Sequence, residues 1–251
     1  MVIAIAQQKG GVGKTTTAAN VAVLLAARGQ RVLAVDVDPQ FALTRQLGVD
    51  TRDLPLTVVD VLSGRVPAVD VVLGEVHDLD LLPAARELAG VELALVGEMG
   101  REAFLAEALA PLQGTYDAVV IDTPPNLGLL TVNALMAADV VIAPVSAEDE
   151  GSAQGLAELR GTLAKLERLR GNQPRLVALL TKWRPERIMT AVIENAVDQL
   201  DVPIRCRVPA RAAIAHAAAH RVPLSLLAPD SGPAIAYEQL IVAVLEQEIP
   251  A

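Results

Sequence analysis

Residues 8–16 read Gln-Lys-Gly-Gly-Val-Gly-Lys-Thr-Thr, directly after the apolar run of residues 2–7 and at the start of a helical stretch over residues 14–28. Glycine lets backbone N–H groups close around an anion without Cβ clashes. The first helical turn adds unpaired N–H groups and partial positive charge. Gly10, Gly11, Val12 and Gly13 therefore read as a phosphate cradle. Lys14 reaches the β- and γ-phosphates of a nucleotide, and Thr15 offers its hydroxyl to Mg2+. Thr16 falls beside the α-phosphate. The widespread form of such a loop opens with glycine, where this chain has Gln8. An ordinary glycine turn, however, does not call for Lys and two Thr at these offsets. Lys9 adds a second cation five residues before Lys14.

Two more apolar runs end in carboxylates. Residues 31–36 lead into Asp36-Val37-Asp38-Pro39-Gln40, and residues 116–122 end in Asp122 ahead of Thr123-Pro124-Pro125. Alternate residues of an extended chain point the same way, so Asp36 and Asp38 face one site. Beside a triphosphate and Mg2+, Asp36 would hold metal-bound water and Asp38 would orient the attacking water. Asp122, at the end of a buried strand, is a metal carboxylate. Asp117 starts that strand at its opposite end and reads as structural.

The remaining punctuation repeats this alternation. Strands are expected over residues 2–7, 31–36, 79–82, 116–122, 140–145, 176–181 and 204–208. Helices are expected over residues 14–28, 87–97, 101–112, 127–138, 151–170, 188–200 and 234–248. Strands rich in Val, Ile and Leu between helices imply a doubly wound, mostly parallel α/β sheet covered on both faces. With no Ser/Gly-rich linker or repeat, residues 1–251 read as a single domain. Ligands of such sheets sit beyond the carboxyl ends of the strands, where the three motifs converge.

Composition narrows the function. The chain is 52% hydrophobic and 20% charged, which excludes wholesale disorder. Phe41, Phe104, Tyr116, Trp183 and Tyr237 are its only aromatics, too few to stack single-stranded bases. Cys206 is alone, which excludes an internal disulfide or a cysteine metal cluster and fits a cytoplasmic setting. His216 and His220, four apart, read as a solvated or structural pair. No leader and no run of about 18–20 apolar residues is visible. The net charge of −9 argues against indiscriminate nucleic-acid binding but leaves room for a local basic patch.

The loop Lys9-Gly10-Gly11-Val12-Gly13-Lys14-Thr15 resembles the deviant Walker A loop of the ParA/MinD ATPases. Asp36–Gln40 resembles the first switch segment of the ParA branch, and residues 116–125 resemble the family's Walker B segment. Residues 82–90, 129–134 and 141–148 extend the likeness over nearly the whole chain. The resemblance implies a P-loop ATPase that uses ATP and Mg2+ and forms a homodimer with ATP. Lys9 would act across the dimer on the partner copy's nucleotide, and Asp38 would be needed for hydrolysis. Thr15, Asp36 and Asp122 would serve the metal. Lys182 and Trp183, with Val208 and Pro209, stand where the family holds adenine. The resemblance also implies nonspecific double-stranded DNA binding, a ParB-like activator and a nucleoid-associated location. It points to the short form, with no helix-turn-helix ahead of the loop.

One departure concerns DNA. The family's DNA-associated arginine falls at Ala213. Residues 175–221 nevertheless hold eight Lys/Arg against four acids, so Arg205, Arg207, Arg211 and Arg221 are the expected replacement. The alternatives are a MinD-like membrane-cycling ATPase and a metabolic P-loop enzyme. The first needs a basic amphipathic C-terminal helix, whereas residues 236–251 carry Glu238, Glu246 and Glu248 and no Lys or Arg, so no stable membrane association is expected. The second is disfavoured by Asp38-Pro39-Gln40.

Overall fold

The computed structural model describes residues 1–245. Eight strands form one sheet: β1 Val2–Ile5, β2 Val32–Asp36, β3 Leu73–Val76, β4 Leu79–Leu82, β5 Ala118–Asp122, β6 Val140–Ser146, β7 Arg175–Trp183 and β8 Ile204–Pro209. Their spatial order is β3-β4-β2-β5-β1-β6-β7-β8. Every pairing is parallel except β3 with β4. The expected α/β class is thus the observed one.

Alternation along β1 assigns the two faces. Ile3 and Ile5 pack against the layer containing helices Lys14–Ala27 and Gly232–Leu245. Ala4 and Ala6 pack against the other, which contains helices Leu129–Ala137 and Glu150–Arg170. Helix Lys14–Ala27 is apolar on nearly all sides because it is covered by further helices as well as by the sheet. Its buried Asn20 is satisfied at both ends of its amide: it donates to Thr16 O and accepts from the Ser225 N–H and hydroxyl.

Several elements depart from the sequence reading. β3 was not expected, because it is barely buried and carries no apolar run. It turns back into β4 through His77 and Asp78, both left-handed, at φ 54° and 62°. Such a two-residue turn is ordinarily announced by Asn-Gly or Gly, and neither is present. Short helices Ala42–Gln46, Val58–Leu62, Ala212–His220 and Leu224–Leu227 were also unassigned. The last long helix is observed over Gly232–Leu245; residues 246–248 of its expected span, with Glu246 and Glu248, lie outside the described residues.

Strand register carries the sequence motifs to one edge. Ile5 is level with Asp122, Asp122 with Asp36, and Ser146 with Thr181. The glycine loop leaves β1 at the middle of this edge.

Candidate nucleotide-binding site

The loop turns into its helix through Gly11 and Gly13, at φ 72° and 92°, a region that costs glycine nothing and other residues strain. Gly13 is the N-cap of Lys14–Ala27, with no side-chain cap and no acid in the first turn. The helix start therefore keeps its positive end for an external anion. Lys14 is buried, and its ammonium donates to Lys9 O at 3.3 Å. Burial lowers its pKa, against the opposing attraction of Asp122 and Asp38. Thr181 Oγ1, donating to Val12 O at 2.9 Å, ties the loop to the end of β7.

Asp36 and Asp122 are fully buried and Asp38 nearly so. Asp36 Oδ1 accepts from the Asp38 N–H at 3.0 Å, and Oδ2 accepts from the Thr44 N–H and hydroxyl, both at 2.8 Å. Burial, with Asp38 adding to it, pushes the Asp36 carboxyl up to about 6. Asp38 accepts from the Gln40 N–H at 2.8 Å. Asp122 differs from both: neither carboxylate oxygen has a donor in ordinary hydrogen-bond geometry, and Thr15 makes at most a weak contact. Burial and the adjacent Asp36 raise its pKa well above the usual range, and Thr15 and Lys14 only partly offset this. A buried orphan carboxylate is costly unless a cation shares it. Hard oxygen donors from Asp122 and Thr15 suit Mg2+. Asp36, level with Asp122 on the neighbouring strand, is already engaged by three protein donors.

Lys9 is paired with a residue outside the loop. Its Nζ is 3.3 Å from Asp149 Oδ2, at the start of helix Glu150–Arg170, and both side chains are roughly half exposed. Asp149 was not singled out from sequence, although an acid before a long helix is an N-cap signal. Asp117 is structural as expected: Arg31 bonds it through backbone and guanidinium, holding its carboxyl down at about 2.

The residues expected around adenine divide. Lys182, at φ 52°, is exposed at the carboxyl edge, and Trp183 is level with Pro209. The Trp183 indole N–H donates to Glu194 Oε1 at 3.2 Å. Val208 requires a correction. It is 1% exposed and packs in the core with Cys206, because strand alternation turns both inward. Its side chain is thereby withheld from a base.

The four candidate DNA arginines do not form one cluster. Arg207 is paired with Glu194 at 2.6 Å, and Arg205 is half-buried. Arg211 and Arg221 are exposed at opposite ends of helix Ala212–His220, about 15 Å apart by helical rise. Arg221 instead lines a cleft of about 810 Å³ with Arg45, Arg52 and Arg86.

A family model described as an AAA domain matches residues 1–176. The chromosome partitioning protein ParA of Caulobacter vibrioides is 46% identical over 180 residues, covering 70% of this chain and 66% of that protein. The sporulation initiation inhibitor protein Soj of Bacillus subtilis is 44% identical over 168 residues, 66% of each chain. The chain thus spans 66% of the length of both curated relatives. A solved cobyrinic acid a,c-diamide synthase from Mycobacterium smegmatis, with bound ADP and magnesium, matches with a TM-score of 0.85 at 35% identity, covering 98% of this chain and 94% of that one.

Proposed function

This chain belongs to the ParA/MinD family of P-loop ATPases, and from that premise we propose that it is a nucleotide-switched partitioning ATPase. ATP closes two copies into a homodimer, the dimer binds duplex DNA without sequence preference, and a ParB-like partner stimulates hydrolysis and release. The cycle moves or positions a chromosome, plasmid or other cargo. Residues 1–251 act as one nucleotide-binding unit, cytoplasmic and nucleoid-associated.

The observation that carries this reading is the half-exposed Lys9 ammonium, paired with Asp149 outside its own loop. In this mechanism Gly10–Thr16 bind phosphates through backbone N–H groups, and Lys14 neutralises the terminal charge. Asp122 and Thr15 would hold Mg2+, with Asp36 beside them, and the bound ion would supply positive charge against the terminal phosphates. Asp38 orients the attacking water. Lys9 enters the partner copy's site and stabilises charge on the transferring phosphoryl group. Lys182, Trp183 and Pro209 flank the base.

One feature favours DNA over a membrane: helix Gly232–Leu245 carries Glu238 and no Lys or Arg, so it lacks the basic face that anionic lipids attract.

The test is light scattering and co-sedimentation with duplex DNA and, separately, anionic liposomes, each with ATP and ADP. An ATP-specific dimer that pellets with DNA is expected. A dimer that pellets only with liposomes would move the chain to the membrane-cycling branch.

A further inference from the structure

Outside the nucleotide edge, three short helices enclose a groove of about 740 Å³. They are Val58–Leu62, Leu88–Leu95 and Phe104–Leu109. On the second, Val91, Ala94 and Leu95 line the groove at helical spacing; Phe104 and Ala108 face them from the third. The floor is apolar and the rim acidic: Glu87, Glu98 and Glu107 are all exposed. Arg65, the one basic residue lining it, is already paired with Asp60 at 3.1 Å.

We infer that this groove docks an amphipathic helix of a partner protein, one that presents apolar side chains to the floor and Lys or Arg to the rim. Charge complementarity selects that occupant: an acidic apolar groove repels duplex DNA and accepts a basic amphipathic helix.

The groove walls are hydrogen-bonded to both segments that carry the site's carboxylates. The Val58 N–H donates to Pro83 O at 2.8 Å, and the next residue, Ala84, donates its N–H to Thr44 Oγ1 at 3.1 Å. Thr44 Oγ1 donates in turn to Asp36. On the other side, Glu92 Oε1 accepts from the Leu130 N–H at 3.4 Å, at the start of the helix that follows Asp122. A helix seated in the groove loads both connections, and this is how a partner would act on turnover without entering the nucleotide site. The inference deepens the partner-stimulated part of the proposed function and rests on that reading for its consequence, but not for the binding itself.

The probe is a fluorescein-labelled sixteen-residue peptide of Leu and Lys with leucines at helical spacing. Its control has the same composition in strict alternation. Anisotropy should show saturable binding of the helical peptide and at least tenfold weaker binding of the control. Glu98→Lys/Glu107→Lys, two exposed changes that spare the fold, and Ala94→Trp, which fills the groove, should each weaken binding at least tenfold. Hydrogen exchange should change within residues 58–65, 87–98 and 104–108 and also at residues 36–46. Equal binding of both peptides, unchanged binding by the variants, or exchange differences confined to other surfaces would overturn the proposal. A groove variant that loses self-association without peptide would give the groove to a second copy and overturn it too. Turnover of ATP is measured separately: groove-dependent binding by a chain that does not hydrolyse ATP leaves the docking site standing and removes the ATPase reading alone.

Discussion

The Lys9 ammonium lies 3.3 Å from Asp149 Oδ2 of the same chain, so the cation assigned to act in trans is held in cis before a second copy arrives. Both side chains are roughly half exposed, and such a pair is worth about 0–1 kcal/mol, less at high salt. Dimer closure therefore has a small pair to break. Asp149→Ala, which removes one such pair from each copy, should tighten ATP-dependent dimerisation by up to about 25-fold, about fivefold per pair. It should also lower thermal stability, because Asp149 caps its helix by accepting from the Gly151 N–H. Lys9→Ala should retain ATP binding and lose the dimer. Sedimentation velocity with ATP decides both; a weaker Asp149→Ala dimer would assign that carboxylate a contact in the partner copy.

Asp38 reaches the site from a buried segment, accepting one backbone hydrogen bond from Gln40. It is not needed to keep Asp36 in place, since that carboxylate is held by the Asp38 N–H and by Thr44. Asp38→Ala should bind ATP and dimerise normally but turn over about 10²–10⁴-fold more slowly, the usual scale for a positioned general base. Phosphate release with a parallel dimer measurement checks this. Lys14→Ala, in contrast, should abolish binding of labelled ATP.

The parts of this site that lie within continuous motifs were legible in the sequence. Glycines at positive φ, apolar strands ending in Asp36 and Asp122, and a lysine at a helix start all carry local chemical signals. What could not be read depends on chain segments that meet only in the fold. Asp149 meets Lys9 from 140 residues away, and Thr44 connects Asp36 to Ala84. The pairing of Arg207 with Glu194, from a different element, is likewise invisible to a charge count. β3 escaped because its turn is built from His77 and Asp78 without glycine, and Ala212–His220 because an alanine-rich stretch has no apolar periodicity to count.

Gly155 marks a close approach that supports the loop from below. A Cβ there would run into Gln7 Oε1. Gln7 is fully buried; its amide donates to Ser152 O and its Oε1 accepts from the Gln8 N–H, where the phosphate loop begins. Gly155→Ala should destabilise the chain by about 1–3 kcal/mol, lowering Tm by about 2–12 °C for a chain of this size. Calorimetry measures this, and a loss of ATP affinity should accompany it because Gln8 must shift.

Cys206 reports on global opening. It is 6% exposed and its thiol donates to Ala236 O at 2.9 Å. Burial pushes it up to about 11, with Arg207 partly offsetting the shift. A raised thiol pKa means that the folded chain retains the proton longer than the unfolded one. The associated stability is whole below the ordinary value of 9.0 and is lost as pH rises through about 11. At pH 8 the folded thiolate fraction should be about a hundredfold below that of the unfolded chain. Iodoacetamide should label Cys206 slowly in buffer and rapidly in urea; fast labelling of the native chain would contradict the buried assignment.

Among the four DNA candidates, Arg211 is the one to weigh most heavily. Arg207 is already paired with Glu194, whereas Arg211 is exposed and, among the described residues, its guanidinium donates to the carbonyl of Ala210. Nonspecific affinity scales with the number of phosphates neutralised, and log K falls with log salt by about 0.9 per contact. A dimer presents each arginine twice, so Arg211→Ala should weaken DNA binding and reduce the salt slope by about 2. Arg207→Ala should reduce it by less, and Glu194→Gln should strengthen binding by releasing Arg207. Arg31→Ala serves as the control, because Arg31 is committed to Asp117 beyond the amino end of β2. Fluorescence anisotropy with duplex DNA between 50 and 200 mM salt (roughly the range over which such contacts separate) measures all four, with ATP-driven dimerisation confirmed for each. Equal slopes for Arg211→Ala and the unaltered protein would remove Arg211 from the interface and shift the search to Arg221 and its cleft.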